Sequence, residues 1–500
     1  MTQPIWDAER IAQELAERSA PDIITVEAAK EVIGEMQDEY ADAIAALEMQ
    51  AAALQAHIED LEDEVAALQN PADVVVTVGV SPVGVSQFVT GMQDVDAPLR
   101  TSVVAQDKLK VQMQVMASHI MNFGAPNLWP KPEDGKPTNW SRLDDRMNMF
   151  VRMGAKLALI FYNYPIWMKE VIGNDGKGTP CDLSDPFATD GRVRLDMLPQ
   201  FYTYCKEVAL RYMRPPYNVR ILVFGNEFKG YYYRKDGSDG LDVADYTVVY
   251  NEWVRAIEDA AAALNIASTD LKVGGSGYAP IRSEGAPSSK TYEQGRIYGY
   301  FRKAPFDAIR YWLQHATRQD FVAFDMGAGN AVGPELTDTF TVQQNKWKDA
   351  AAMIREMTNL PLLCAETYPK CADDQNADAR RVAAAKMVAH LEMVNAGYWM
   401  AWAWGAIGQG EYHEINKNGG LLKDYATGDT NPWYEAHAII KQFFGSGARL
   451  YDTQVEGEGV YAKATDSMVA MVNMTDTERR VRLDSTVHVL APYQVAAVAS

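Results

Sequence analysis

Two glutamates stand at the ends of apolar runs, and their placement is the first chemical signal in the chain. Glu227 follows "VRILVFGN" and Glu366 follows "LPLLCA". Each run reads as a short strand buried on both faces, because a brief apolar stretch bounded by turn formers fits that setting. Taken singly, a strand-end glutamate is ordinarily a salt-bridge partner on a rim. A pair brought to one site meets the demands of glycoside hydrolysis: one carboxylic acid protonates the departing oxygen, and one carboxylate attacks or stabilises the oxocarbenium-like centre. The two roles ask for opposite environments. An acid that keeps its proton near neutral pH needs an apolar wall or a second carboxylate, and Phe224, Phe228 and Tyr231 to Tyr233 are the rings at hand around Glu227. A nucleophile must stay ionised until attack and needs donors nearby; Tyr368, two residues after Glu366, is a candidate.

Distant strands must be gathered by a scaffold for such a pair to meet. Strand-like runs occur at 74–80, 118–123, 155–163, 219–225, 271–275, 320–325, 360–365 and 397–404, with amphipathic helical stretches between them, among them 141–153, 195–213, 246–265 and 378–395. Eight strands each followed by a helix is the arithmetic of a (β/α)8 TIM barrel, an α/β fold whose active sites lie at the carboxyl ends of the strands. Glu227 and Glu366 then follow strands four and seven. An open doubly wound sheet is the competing fold, but its Gly-rich phosphate turn after the first strand is not evident.

With these residues placed, the chain resembles the retaining glycoside hydrolases of clan A, and most the family thirty-nine branch of β-xylosidases and α-L-iduronidases. "GNEF" with Asn226 and Glu227 is similar to that family's strand-four motif, "AETY" with Glu366 to its strand-seven motif, and "TNWSRLDDRM" (138–147) to the entry into its second helix. "LKVGGSGYA" (271–279) is similar to its fifth strand, and "GYWMAWAWG", "GGLL" and "NPWYEAHAIIKQFFG" to its eighth strand, last loop and closing helix. The resemblance spans roughly residues 74–500. It implies that Glu227 is the general acid/base, Glu366 the nucleophile and Asn226 a hydrogen-bond partner of a sugar hydroxyl, with the carboxyls about 5 to 5.5 Å apart as in retaining enzymes. Two departures stand out. The residue after Glu227 is Phe228, and the turn after strand six, "FDMGAGN", lacks the tyrosine that touches the nucleophile, leaving Asp325 or Asn330 in its place.

Aromatic residues crowd the expected strand ends: Trp129, Trp140, Tyr162, Tyr164, Trp167, Tyr278, Trp399, Trp402 and Trp404. Sugars stack their C–H faces on such rings, although core packing claims about half of them. Trp402 and Trp404 share a face of their strand, and one of them is the expected sugar platform; Trp129, Tyr278, His119 and Asn122 are further candidate substrate contacts. Seven histidines, none in a short-spaced pair with a strand end, argue against a metal-dependent hydrolase, so neither metal nor cofactor is expected.

Three segments follow. Residues 1–70 carry a heptad seam, Ile44, Leu47, Ala51, Leu54, Ile58, Leu61, Val65 and Leu68, whose strict 3.5-residue period is that of a coiled coil, so a homo-oligomer (dimer or trimer) is expected, the alternative being one amphipathic helix lying on the body of the same chain. Residues 71–445 hold the barrel. Residues 446–500 alternate like antiparallel strands and read as a small β-sandwich-like domain packed on it. A net charge of −20 repels phosphate backbones and argues against nucleic acid. Four cysteines are too few for a disulfide framework. No apolar leader of signal-peptide length opens the sequence and no stretch is long enough to span a bilayer. A barrel tethered through a coiled coil and released by lysis suits a phage tail depolymerase acting on a bacterial surface polysaccharide beside other virion proteins. The alternative is a tail component that binds a glycan without cutting it.

Overall fold

The structure, a computed structural model, describes residues 13–14, 26–69, 72–121, 127–170, 192–231, 241–284, 292–328, 339–369, 378–407 and 419–499. It divides into two units, Met1–Ala72 with Arg482–His488, and Asp73–Val481 with Val489–Ser500. Within the first, Val26–Gln69 is one helix of 44 residues, about 66 Å at 1.5 Å per residue. Tyr40, Ile44, Leu47, Leu54 and Ile58 stand exposed along it. The side chains of Leu61, Val65 and Leu68 fall outside the described residues.

In the second unit, eight parallel strands close into a barrel. They are β1 (Val89–Gln93), β2 (Val115–His119), β3 (Lys156–Phe161), β4 (Ile221–Phe224), β5 (Lys272–Glu284), β6 (Val322–Ala328), β7 (Leu362–Pro369) and β8 (Tyr398–Trp404). Each pairs in parallel with the next, and β8 pairs with β1 to complete the ring. A helix follows every strand: α1 (Val103–Lys110), α2 (Ser141–Met153), α3 (Leu198–Tyr212), α4 (Val243–Ala263), α5 (Lys303–His315), α6 (Thr339–Arg355), α7 (Ala379–Asn395) and α8 (Pro432–Phe443). The large core lies between strands and helices, because each helix must bury its apolar stripe against the sheet. The expected α/β barrel is therefore the observed fold.

One strand assignment is corrected. Val74–Val85 is not a barrel strand; it pairs antiparallel with Arg449–Glu456 in a separate sheet. That sheet continues through Val460–Thr465, Met468–Asn473 and Val495–Ala499. The true first barrel strand, "VTGMQ", hides behind a glycine and two polar residues. Gly91 is needed there because a Cβ would lie 2.3 Å from Trp402 Cδ1, and Gln93 is needed for the site described below. The antiparallel sheet packs on the barrel's outer layer, where the Tyr461 hydroxyl donates to Glu392 of α7 at 3.0 Å. Among the described residues no helix is long and apolar enough to cross a membrane.

Candidate active site

Strand geometry determines which side chains reach the mouth of the barrel. Its interior is filled by alternate residues, Val115 and Ala117 on β2, Ala158 and Ile160 on β3, Ile221 and Val223 on β4, Leu363 and Ala365 on β7, and Met400 and Trp402 on β8. One further step of two along these rows arrives at His119, Tyr162 and Trp404, and the same parity on β1 and β6 arrives at Gln93 and Asp325. On β7 the same step from Ala365 would deliver Thr367. The β6–β7 ladder slips between Cys364 and Glu366, however, and the slip pairs Glu366 with Asp325. Such an irregularity re-aims a side chain next to a functional site.

Glu227 arrives differently, from the turn beyond β4. Gly225, Glu227, Phe228 and Gly230 all have positive φ, at 87°, 49°, 56° and 85°. Glu227 and Phe228 are consecutive non-glycine residues in the left-handed region, a conformation that costs energy and gathers at functional turns. The strand end is pinned by the Tyr246 hydroxyl, which donates to Phe224 O at 3.0 Å, and the turn by Lys229 N donating to Asn226 O at 3.0 Å.

Around the two glutamates the structure gathers a cation, a hydroxyl and a third carboxyl. Lys229 Nζ lies 3.2 Å from Glu227 Oε2 and 5.8 Å from the centre of the Tyr162 ring. The Tyr368 hydroxyl donates to Glu366 Oε2 at 2.5 Å, while Glu366 Oε1 is buried without a hydrogen-bond partner. Gln93 ties the floor together: its amide donates to Ala365 O at 2.7 Å and its oxygen meets His119 Nε2 at 2.7 Å. Asn226 is buried with its Oδ1 unpartnered, a vacant acceptor beside Glu227 in sequence.

Burial, then the charge of Glu227, pushes the Glu366 carboxyl up to about 8, against the opposing pull of Lys229 and the Tyr368 hydrogen bond. Burial and the charges of Glu366 and Glu227 hold Asp325 well above the usual carboxylate range. His119 is held well below its ordinary value by burial, with Lys229 and Arg146 adding to the effect, so its imidazole is neutral. Burial works against the Lys229 ammonium, but Tyr162, Glu227 and Glu366 more than offset it and raise its pKa.

Several expectations change. Trp402 is fully buried in the barrel interior under Gly91, so it offers no platform. Trp404, two residues on, is half-buried, with its ring edge-on to His119 at 6.0 Å. Trp129 is core, packed edge-to-face on Trp167 at 5.0 Å. His119 is enclosed between Tyr162 and Trp404 and bonded to Gln93, which makes it a support for the site. Phe224, Phe228 and Tyr231 pack on Tyr246 of α4 in the layer between strands and helices, rather than walling the Glu227 carboxyl. Burial and a neighbouring charge act instead on Glu366, the group expected to be ionised. Tyr278 lies in β5 with its side chain outside the described residues, and Asn122, Asn330, Tyr232 and Tyr233 also lie outside them. Sequence reasoning missed Lys229 and Gln93. Lys229 had a signal, a cation two residues from the strand-four glutamate; Gln93 sat in an unrecognised strand. Among the described residues no group of three or more His, Cys, Asp or Glu is placed to hold a metal ion.

No protein-family model and no curated protein sequence matches the chain. Solved structures do. An endo-β1,6-glucanase is 12% identical with a TM-score of 0.55, the match covering 85% of this chain and 94% of that one. SrfJ from Salmonella typhimurium is 12% identical with a TM-score of 0.52, over 85% of this chain and 95% of that one. A glucosidase from Croceicoccus marinus is 14% identical with a TM-score of 0.50, over 85% and 84%. The chain shares its fold with them. At these identities the likeness is one of architecture, and the chemistry has to be argued from the side chains.

Proposed function

We propose that the protein is a clan A glycoside hydrolase that cleaves a polysaccharide with retention of configuration, Glu227 serving as acid/base and Glu366 as nucleophile. The observation that carries this reading is the arrival of two mutually interacting glutamates at the C-terminal ends of β4 and β7, one on a strained turn and one on a register slip. Tyr368 holds one oxygen of Glu366 and leaves the other for attack on the anomeric carbon. In this reading Asn226, with its buried unpartnered Oδ1, takes a sugar hydroxyl and the half-buried Trp404 stacks on a ring. Both glucan-active and glucoside-active proteins occur among the structures of similar fold, and the motifs quoted above are most similar to family thirty-nine.

The exposed heptad seam of the leading helix supports self-association with a second copy of the chain. Such an oligomer would suit a virion tail enzyme presented to a bacterial surface glycan. Residues 1–70, 71–445 and 446–500 then serve as tether, catalytic barrel and packed β-domain, with the strand Val74–Val85 lent to the last. Incubation with a panel of bacterial surface polysaccharides tests the reading: one glycan is expected to be depolymerised by the wild type and left intact by Glu366→Gln. Failure of every glycan to be cut, with one of them bound, would favour the second reading, a glycan-binding tail component. The Lys229–Glu227 ion pair favours that alternative, since it occupies the carboxyl oxygen that would have to meet the leaving group.

A further inference from the structure

A cavity of about 350 Å³ opens between the start of α2 and the end of α3, a size within the range that small-ligand sites occupy. Its walls are braced from below. Arg211 of α3 is clamped by Asp144 of α2, its Nε donating to Oδ1 at 2.8 Å and its Nη2 to Oδ2. The clamp lays the guanidinium over the Trp140 ring, 4.9 Å from its centre. The Tyr212 hydroxyl donates to the same carboxylate at 2.9 Å, and the Tyr212 ring packs 6.1 Å from Trp140 and 5.0 Å from Tyr217. One buried tyrosine thus supports both aromatic walls, Trp140 and Tyr217, each half-buried.

Charge sets the pocket apart from the chain around it. The chain carries −20, yet the lining holds Lys136, Arg211 and Arg214 against Glu207 alone. Asp144 satisfies Arg211, whereas among the described residues neither Lys136 nor Arg214 is ion-paired, and both are exposed. Arg214 donates through Nε to Leu210 O at 2.5 Å. That bond holds the guanidinium and leaves its two terminal nitrogens free to meet an anion.

We propose that this pocket is a second saccharide site, outside the cleft, that binds a uronic acid residue. The sugar carboxylate lies on Arg214 and Lys136, its C–H surface on the Trp140 and Tyr217 rings, and its hydroxyls on Glu207. Each part of the lining then has a use. A guanidinium matches a carboxylate, and rings give apolar contact that a bare anion cannot exploit. Glu207 accepts from hydroxyl donors and opposes the second charge of a phosphate. A nucleotide is therefore served less well than an acidic sugar.

The helix α2 joins this pocket to the mouth of the barrel. Arg146, two residues beyond Asp144 and about 200° round the helix from it, donates to Ser118 Oγ at 2.9 Å and to His119 O at 3.2 Å. One helix therefore supports the candidate active site on one side and the pocket on the other. An acidic polysaccharide held here would keep its neighbouring units concentrated around the enzyme. That consequence rests on the glycosidase reading; the binding itself does not.

Isothermal titration calorimetry on the full chain tests the site, with tetragalacturonate as the acidic probe, maltotetraose as the neutral one and adenosine monophosphate as a ring-bearing phosphate. Wild type, Arg214→Gln, Lys136→Gln and Tyr217→Ala are compared, each with unchanged circular dichroism. The wild type is expected to bind tetragalacturonate at least about tenfold more tightly than maltotetraose, and Arg214→Gln to weaken the acidic probe about tenfold or more, as loss of a charged hydrogen bond does. Lys136→Gln and Tyr217→Ala are expected to weaken it as well. No binding of tetragalacturonate, binding no tighter than that of maltotetraose, or binding unchanged in Arg214→Gln overturns the proposal. A loss in Arg214→Gln with none in Tyr217→Ala marks a bare anion site, and adenosine monophosphate bound as tightly as tetragalacturonate marks a phosphate site; either overturns the saccharide assignment. All three substitutions lie outside the candidate active site and no cleavage is measured, so failure here and failure of the glycosidase reading are told apart.

Discussion

Tyr368 donates to Glu366 Oε2 at 2.5 Å from two residues further along the same strand. Side chains two apart on a strand share a face, so β7 supplies both the candidate nucleophile and its hydroxyl partner. Asp325, paired with Glu366 in the β6–β7 ladder, stands beside them as a buried acid.

Removing the hydroxyl separates orientation from bulk. Tyr368→Phe is expected to lower kcat about 100-fold, the size of effect seen when one preorganised donor is lost. Because the Tyr368 hydrogen bond pulls the Glu366 pKa down, its loss also raises that pKa, and the acid limb of the kcat/KM profile moves to higher pH. Steady-state rates across pH 4–9 on the cleaved glycan check both; a profile unmoved in position would contradict the role given to Tyr368.

Stability carries the same signature without any substrate. An ordinary glutamate, with a pKa of 4.5, is raised to about 8 at Glu366 in the fold. The folded state therefore binds this proton more tightly than the unfolded state, so the contribution is fully present below pH 4.5 and is lost as pH rises through about 8. Asp325 is raised too and acts in the same direction. Urea unfolding of the wild type at pH 5 and pH 9 is expected to show a fall in stability that is smaller in Glu366→Gln, whose amide does not ionise. Equal falls in both proteins would refute the raised pKa.

The barrel's first strand can be tested through its glycine. A Cβ at Gly91 would sit 2.3 Å from Trp402 Cδ1 and 3.2 Å from Val115 O, so Gly91→Ala is expected to destabilise by about 1–3 kcal/mol through overpacking. Thermal unfolding measures it. A substitution without effect would mean that Trp402 does not fill the interior at that level.

The proposed self-association of the leading helix can be tested through its seam. Leu47 and Leu54 are 63% and 62% exposed along the helix, and Leu47→Glu with Leu54→Glu would place charges in the seam. Sedimentation equilibrium is expected to give a dimer or trimer for the full chain and a monomer for the double variant. A monomeric wild type would remove the coiled coil from the proposal.

Much of this architecture was legible because its signals are local. Apolar strand runs and amphipathic helices alternate from Val115 onward, and the helix over Ser141–Met153 begins and ends where the pattern places it. Glu227 and Glu366 were legible for the same reason, each closing an apolar run. What escaped depended on partners far away in the chain. Val74–Val85 and Val89–Gln93 differ in which strand each pairs with, and the valine-rich run was the more conspicuous but the wrong one. Trp402 and Trp404 share strand parity, yet only packing under Gly91 decides that one is interior and the other faces the mouth. The burial of Glu366 beside the charge of Glu227 is tertiary and leaves no mark on the local sequence, and Lys229 acquires meaning only when the turn beyond β4 folds back over the site.

The retaining assignment itself is tested most directly by the configuration of the first product. Proton NMR during the initial seconds to minutes of glycan cleavage, before mutarotation, should show the anomer of the parent linkage with the wild type and no product with Glu227→Gln or Glu366→Gln, a loss of about 1,000-fold or more for a catalytic carboxyl. An initial product of inverted configuration, or undiminished cleavage by either variant, would contradict the assignment of Glu227 and Glu366.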